Sequence, residues 1–311
     1  MKQLLLMPLF GFLGAAALQA PRPIESIAEP YRIQVNVHLV LVHATVHDAK
    51  GRLVSDLVEQ DFTLYEDGVR QSVRLFRHED LPVTVGLVVD HSGSMRAKLA
   101  DVVAAARTFV QSSNPEDQMF VVNFNEKVTL GLPAGIQFTN RPDELTRAIA
   151  NTPTTGQTAL YDAVIAAGKL LQSGKWDKKV LLVISDGADN ASRHSLAQAL
   201  DVVERSSVLI YSVGIFDAED PDKNPKVLRR LAAATGGEAF FPDRYNAVIG
   251  DCEHIAREIR HQYTLGYVST NVALTKELRA IRVVAKASGK GKLMVRARTG
   301  YVAGDESEPV K

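Results

Sequence analysis

This chain of 311 residues has a single cysteine and no excess of charge of either sign. A single cysteine excludes an intrachain disulfide framework and a zinc site built from thiolates. The 36 lysines and arginines balance 36 aspartates and glutamates, so the formal net charge is zero. Proteins that bind nucleic acid usually carry an excess of basic residues or a basic surface patch, and this composition argues against a nucleic-acid partner.

The N-terminal apolar run is too short to span a bilayer comfortably, which takes about 20 residues. It covers residues 4–18 and follows Lys2. Small residues at 15–17 and at Ala20 offer two cleavage sites, a pattern typical of a secretory signal peptide. We expect residues 1–20 to be removed, which leaves no transmembrane segment and places the protein in the periplasm or outside the cell. An uncleaved anchor or a buried helix is the alternative.

What the chain does contain is an alternation of apolar strands and amphipathic helices over residues 82–261. The run VTVGLVVD at 83–90 is continuously apolar, as in a strand that is covered on both faces. Alternation of this kind predicts an α/β fold with a doubly wound, mostly parallel sheet. The predicted strands are 83–90, 119–124, 128–132, 179–186, 208–215 and 238–241, and the predicted helices are 95–112, 142–150, 194–206, 225–234, 245–261 and one that starts near 158.

Both flanks of this unit alternate apolar and polar residues with a period of two, as half-buried antiparallel strands do. Neither flank, residues 31–81 or 262–303, is long enough for a comfortable core of its own. We therefore predict that the two flanks form one smaller β-sandwich-like domain into which the α/β domain is inserted. Two separate β-rich appendages are the alternative. Residues 304–311 are expected to be a flexible tail.

Oxygen-bearing side chains lie where the predicted parallel strands end. Asp90, Ser92 and Ser94 follow the first strand, and Gly93 lets the loop curl so that both serines face one point. In an open parallel sheet this edge forms the crevice where ligands bind. Two further segments end at the same edge, and they contain Thr158 and Asp186. Carboxylates and hydroxyls in compact loops suit Mg²⁺, with Mn²⁺ or Ca²⁺ also possible.

These three segments, VVDHSGSM, TGQTALYDAV and LLVISDGADN, resemble the three loops of the von Willebrand factor A (VWA) domain, and the resemblance covers about residues 82–261. It implies a Rossmann-like fold and a metal-ion-dependent adhesion site (MIDAS), whose metal ligands would be Asp90, Ser92, Ser94, Thr158 and Asp186. The family fills a remaining metal position with an aspartate or glutamate of a partner protein. The flanks are similar to those of exported bacterial VWA-related proteins.

The resemblance implies a non-enzymatic, metal-dependent protein-binding module for adhesion or complex assembly, without catalytic residues or an organic cofactor. A structural metal site in an envelope assembly protein is one alternative. A metal-dependent hydrolase is the other, although a haloacid-dehalogenase-type phosphohydrolase needs an aspartate where Ser92 stands. A serine hydrolase would need a Gly-x-Ser-x-Gly elbow, which residues 91–93 do not provide.

Several other residues are expected to be structural or solvated. Cys252 lies on the apolar face of a predicted helix and should be buried. His91 should be exposed at the rim, and Asp90 should lie at the solvent edge. His43 and His47 are about 13 Å apart along one strand, too far for one metal ion, and are expected at the surface. His254 and His261 are likewise two helical turns apart.

Overall fold

The computed structural model describes residues 39–216, 223–244, 246–273 and 277–303. The predicted signal peptide, the first eight residues of the predicted β-rich segment and the predicted tail lie outside the described residues. No helix among the described residues is both long enough and apolar enough to cross a membrane.

A six-stranded sheet with the order β10-β9-β8-β5-β6-β7 forms the centre of the α/β unit. All neighbouring strands in it are parallel except β6 and β7. Every residue of β5 is buried, because helices cover both faces of the sheet. The strands are β5 (Thr84–Asp90), β6 (Gln118–Phe124), β7 (Val128–Leu130), β8 (Lys179–Ser185), β9 (Leu209–Gly214) and β10 (Ala239–Phe240).

Six α-helices pack around this sheet, and each presents its apolar side to one continuous core. Helix α1 contacts α2 and α6, whereas α4 contacts α3 and α5. Cys252 is fully buried in α6, as predicted. The helices are α1 (Leu99–Ser112), α2 (Pro142–Ala150), α3 (Leu160–Leu171), α4 (Leu196–Arg205), α5 (Pro225–Thr235) and α6 (Ala247–Arg260).

The remaining strands form two antiparallel sheets with the orders β13-β1-β11-β4 and β14-β12-β2-β3. Strands that precede the α/β unit are β1 (Leu39–Asp48), β2 (Phe62–Glu66), β3 (Val69–Gln71) and β4 (Val73–Arg77). Strands that follow it are β11 (Tyr263–Val268), β12 (Leu278–Ala285), β13 (Leu293–Ala297) and β14 (Gly300–Val302).

Both flanks contribute to each antiparallel sheet. Strand β1 lies between β11 and β13, and β2 pairs with β12. One apolar cluster, which includes Val42, Leu64 and Tyr267, joins strands of both sheets. The predicted fold class is therefore confirmed: a mostly parallel α/β sheet accompanied by antiparallel sheets. The domain boundaries at 81/82 and 261/262 stay predictions.

Local differences from the predicted elements have simple causes. Helix α1 begins at Leu99 rather than near 95, because residues 93–95 form a separate 3-10 turn. The tight turn between β2 and β3 uses Asp67 and Gly68, both with positive φ. Such a turn matches the right-handed twist of the two strands, and it explains the hairpin signal in the sequence.

Candidate functional site

Two neighbouring parallel strands bring the first and third loops of the candidate site together. Strand β5 ends at Asp90, and β8 ends at Ser185, immediately before Asp186. Because β5 and β8 pair in parallel, their carboxyl ends lie at the same edge of the sheet. Both loops are therefore set by the register of two buried strands.

Hydrogen bonds connect four of the five predicted ligands. The Ser94 hydroxyl donates to Asp186 Oδ2 at 2.5 Å. The hydroxyl oxygens of Ser92 and Ser94 lie 3.1 Å apart. The backbone N–H of Ser92 donates to Asp90 Oδ1 at 2.8 Å, which curls the loop back onto its first acid. The structure thus gathers two carboxylates and two hydroxyls at one point.

Thr158 joins this group through its loop. It is buried, and its backbone N–H donates to the side-chain oxygen of Asn190 at 2.8 Å. The same loop is tied to the first one, because Gly93 N–H donates to the carbonyl of Gly156 at 3.1 Å and Thr155 N–H donates to that of His91 at 2.8 Å. Within the described residues, the hydroxyl of Thr158 makes no hydrogen bond to the other four predicted ligands.

Ser185, which is not among the predicted ligands, also contacts the candidate site. Its hydroxyl donates to Asp90 Oδ2 at 2.6 Å and accepts from Gly187 N–H at 3.0 Å. The third loop also holds its own acid, since Ala188 N–H donates to Asp186 Oδ1 at 3.0 Å. These contacts fix both carboxylates in position. The only sequence signal was that Ser185 directly precedes Asp186.

The expectation that Asp90 lies at the solvent edge is wrong. Asp90 is 0% exposed and Asp186 is 1% exposed, because the loops fold over the ends of the strands. Burial, and then the negative charge of Asp186, raise the pKa of the Asp90 carboxyl to about 7. Two buried acids that face each other are costly when both are charged.

The donor set fits a hard divalent cation. It consists of two carboxylates and three hydroxyls, and all of the potential ligand atoms are oxygens. The hydrogen bonds that Asp90 accepts from described residues come from neutral groups of Ser92 and Ser185. A cation with two positive charges is the natural counterpart of this pair of acids.

The surface above the acids is open to solvent. Gly93 and Ser94 are exposed, and so are residues 155–157 in the second loop. The buried carboxylates therefore form the floor of a site whose upper rim another molecule can reach.

His91 is also buried, contrary to its expected place at the rim. One of its ring nitrogens, Nε2, lies 3.1 Å from Oδ1 of Asn123, and Asn123 in turn donates to the carbonyl of Ala148 at 2.8 Å. Burial lowers the pKa of His91. The imidazole therefore belongs to a structural network beneath the loops.

A second group of ligand-type side chains lies away from these loops. His47, His254 and Glu258 place one potential ligand atom each within 4.8 Å of one another. His47 and His43 share a strand, and His254 and His261 lie two helical turns apart, but the structure brings His47 to His254 across two elements. The available signal was the spacing of His254 and Glu258, which puts them on the same helix face.

Comparison with known proteins identifies the α/β unit. Residues 85–188 match the family model described as the von Willebrand factor type A domain. These residues are therefore similar to a VWA domain, as the three loops had indicated. No curated protein matches the chain in sequence.

Solved structures with low sequence identity share the fold. A von Willebrand factor type A protein from Catenulispora acidiphila is 15% identical, with a TM-score of 0.53 over 78% of this chain and 72% of that one. Proximal thread matrix protein 1 from the mussel byssus is 16% identical, with a TM-score of 0.50 over 68% of this chain and 51% of its own. Manganese-loaded TRAP protein from Plasmodium vivax is 13% identical, with a TM-score of 0.47 over 76% of this chain and 97% of its own. The last score is too low to add to the fold assignment.

Proposed function

We propose that this chain is an exported, non-enzymatic protein-binding module that works in adhesion or complex assembly and depends on a divalent metal ion. Mg²⁺ is the proposed ion, with Mn²⁺ or Ca²⁺ as substitutes, held by Asp90, Ser92, Ser94, Thr158 and Asp186. One observation carries the proposal: two buried carboxylates are joined to two serine hydroxyls at the carboxyl edge of a parallel sheet.

The bound ion would supply a positive charge and an open coordination position for a carboxylate of the partner. The chain itself provides two negative charges and three neutral hydroxyls. A divalent cation balances the two charges, and these five side chains leave at least one of its roughly six preferred oxygen positions open. Without the cation, a partner carboxylate would approach Asp90 and Asp186 directly and be repelled. Metal-dependent binding of an acidic protein ligand follows from this charge balance.

A binding role is favoured over a purely structural metal site by the exposure of the rim. Ser94 is exposed although its hydroxyl contacts the buried Asp186. An ion beside Ser94 could therefore be approached from solvent. A metal that only ties loops together would need no such opening.

We assign no catalytic residue to the chain. Ser92 and Ser94 are the candidate nucleophiles, but their hydroxyls contact each other and Asp186 rather than an imidazole. The neighbouring His91 contacts Asn123 instead. The pairing of nucleophile and base that a serine hydrolase requires is absent from these described contacts.

Calorimetric titration with Mg²⁺ tests the metal site. We expect Asp90→Asn to weaken Mg²⁺ binding at least about 100-fold, since even groups that only orient a ligand are worth about 10- to 100-fold. Asp143→Asn is the matched control, because its side chain is 73% exposed at the start of α2. Equal affinity in wild type and Asp90→Asn would refute the assignment.

Capture of partners from the native envelope or medium tests the binding role. Bait protein should retain a partner in Mg²⁺ and lose it in chelator, and Asp90→Asn should retain none under either condition. Retention that is unaffected by chelator, in a protein that does bind Mg²⁺, would leave a structural metal site. Mass spectrometry of the mature N-terminus in fractionated cells tests export, and an intact cytosolic form starting at Met1 would contradict it.

A further inference from the structure

A cluster formed by His47, His254 and Glu258 lies away from the three loops of the oxygen site. His47 lies on β1 of the antiparallel sheet, and the other two lie four residues apart on α6. Glu258 Oε2 is 3.6 Å from Nε2 of His254 and 4.0 Å from Nε2 of His47. Three ligand atoms from two elements thus converge on one small volume.

The two carboxylate oxygens of Glu258 have unequal surroundings. Oε1 accepts hydrogen bonds from the Tyr211 hydroxyl at 2.6 Å, from the Thr45 hydroxyl at 3.2 Å and from Arg296. Oε2 has no hydrogen-bond partner among the described residues, although Glu258 is 0% exposed. A buried acceptor without a donor is costly, and this one faces two imidazoles.

We propose that His47, His254 and Glu258 form a second metal site, suited to Zn²⁺ or to Co²⁺ as its spectroscopic substitute, which fastens α6 to β1. Two imidazoles and one carboxylate are a donor set that zinc takes in proteins. It differs from the all-oxygen set of the first site. The inference is independent of the proposed function.

The spacing is close to what zinc requires. Ligand atoms at about 2.0–2.2 Å from a tetrahedral ion lie about 3.3–3.6 Å from one another. The pair formed by His254 and Glu258 already meets this spacing, and His47 would need to approach Glu258 by about half an ångström. The His254 side chain is 39% exposed, which gives water access to a fourth position.

The local charges permit a cation. Arg296 brings one positive charge to Glu258, but it also contacts Glu238, so the two acids outnumber it. A divalent cation at this point would be balanced in part by the acid that Arg296 does not neutralise.

Titration of the full, chelator-treated chain with Zn²⁺ in excess Mg²⁺ tests the proposal. Excess Mg²⁺ occupies oxygen ligands, and repeating the titration in Asp90→Asn further weakens any zinc binding at the oxygen site. We expect one zinc to bind in both proteins. His254→Ala should weaken zinc binding at least about 100-fold, because a direct ligand should matter more than the groups that orient ligands.

His261→Ala is the matched control, because His261 is exposed at the end of the same helix and should leave zinc affinity unchanged. In wild type, Co²⁺ should give the intense visible absorption of a four-coordinate ion, and His47→Ala should lose it. Zinc affinity that is equal in wild type and His254→Ala would overturn the proposal. So would the absence of that absorption in the wild type.

Discussion

Two buried acids, Asp90 and Glu258, show how differently one chain can accommodate the same functional group. Glu258 lies beside Arg296 and receives two further hydrogen bonds from hydroxyls on its Oε1 atom. Asp90 faces a second acid, Asp186, and its hydrogen bonds from described residues come from neutral groups. One oxygen of Glu258, Oε1, therefore contacts a positive charge within the fold, whereas Asp90 has no positively charged partner among its described hydrogen bonds.

Charge balance, rather than burial, distinguishes the structural role of Glu258 from the binding role proposed for Asp90. Both acids are 0% exposed. An acid whose charge is balanced by other groups of the protein stabilises the fold without any ligand. A pair of acids whose charges are not balanced stabilises it only once a cation is bound. Removing each acid should therefore change stability in opposite directions.

The largest effect is expected from Glu258→Ala. Loss of the carboxylate leaves Arg296 and the Tyr211 hydroxyl without their buried acceptor, and breaking such a pair costs about 3–5 kcal/mol. We expect the lower end of that range, because Arg296 keeps its contact with Glu238. Urea unfolding gives the measurement. Glu253→Ala on the same helix is the control, with a 46% exposed side chain and an expected change within about 0.5 kcal/mol. A Glu258→Ala protein as stable as the control would show that this acid is not compensated.

The opposite sign is expected for Asp90→Asn in chelator. Folded Asp90 keeps its proton up to a pH of about 7, whereas the unfolded chain releases it near the ordinary pKa of 3.8. Between these values the folded state binds more protons, so the wild type should lose stability relative to Asp90→Asn as the pH rises. Three pKa units correspond to at most about 4 kcal/mol.

Urea unfolding of both proteins across this pH range measures the difference, and saturating Mg²⁺ should restore the wild type alone. If the free energies of unfolding of the two proteins change with pH in the same way in chelator, the charge of Asp90 is already balanced within the fold. A gain in wild-type stability with rising pH, relative to Asp90→Asn, would mean that the sign of the shift is wrong.

The oxygen site could be predicted from sequence because its parts are local. Asp90, Ser92 and Ser94 lie within five residues directly after a continuously apolar strand, and Asp186 follows another such strand. Parallel pairing then determines that the strand ends meet. The burial of the acids could not be predicted in this way, since it depends on how the loops fold over the sheet edge.

The second cluster could not be predicted because its parts meet only through tertiary packing. His47 is 207 residues before His254, and their proximity depends on where β1 lies against α6. Alternation in β1 indicates two faces but does not identify what covers either one. The burial of His91 was missed for a similar reason: its partner Asn123 lies on the neighbouring strand β6.

A smaller effect is expected where the third loop must turn. Gly187 follows Asp186 with φ of +80°, and an added Cβ would lie 2.4 Å from the carbonyl oxygen of Asn224. Gly187→Ala should cost about 1–3 kcal/mol and weaken Mg²⁺ binding by displacing Asp186. Gly250→Ala on α6 meets nothing within 4 Å and should stabilise the helix by about 0.5–1 kcal/mol. Thermal melts measure the stability of both variants, and titration measures their Mg²⁺ affinity. Unchanged Mg²⁺ affinity in Gly187→Ala would show that this turn does not position the ligands of the oxygen site.

The smallest effect is expected from Ser92→Ala. The hydroxyl is neutral and lies 3.1 Å from the Ser94 hydroxyl, while the backbone N–H that holds Asp90 remains in the variant. Loss of one hydrogen bond is worth about 0.5–1.5 kcal/mol, so Mg²⁺ affinity should fall by about tenfold at most, because water can take the place of the hydroxyl. Calorimetric titration should give the weakest Mg²⁺ affinity for Asp90→Asn, an intermediate affinity for Ser92→Ala and an unchanged affinity for Ser173→Ala. Ser173 is the control because it is exposed and its described hydrogen bonds are within its own turn and to Gln137. A Ser92→Ala protein that loses as much affinity as Asp90→Asn would mean that loop geometry, rather than the charge of Asp90, determines metal binding at this site.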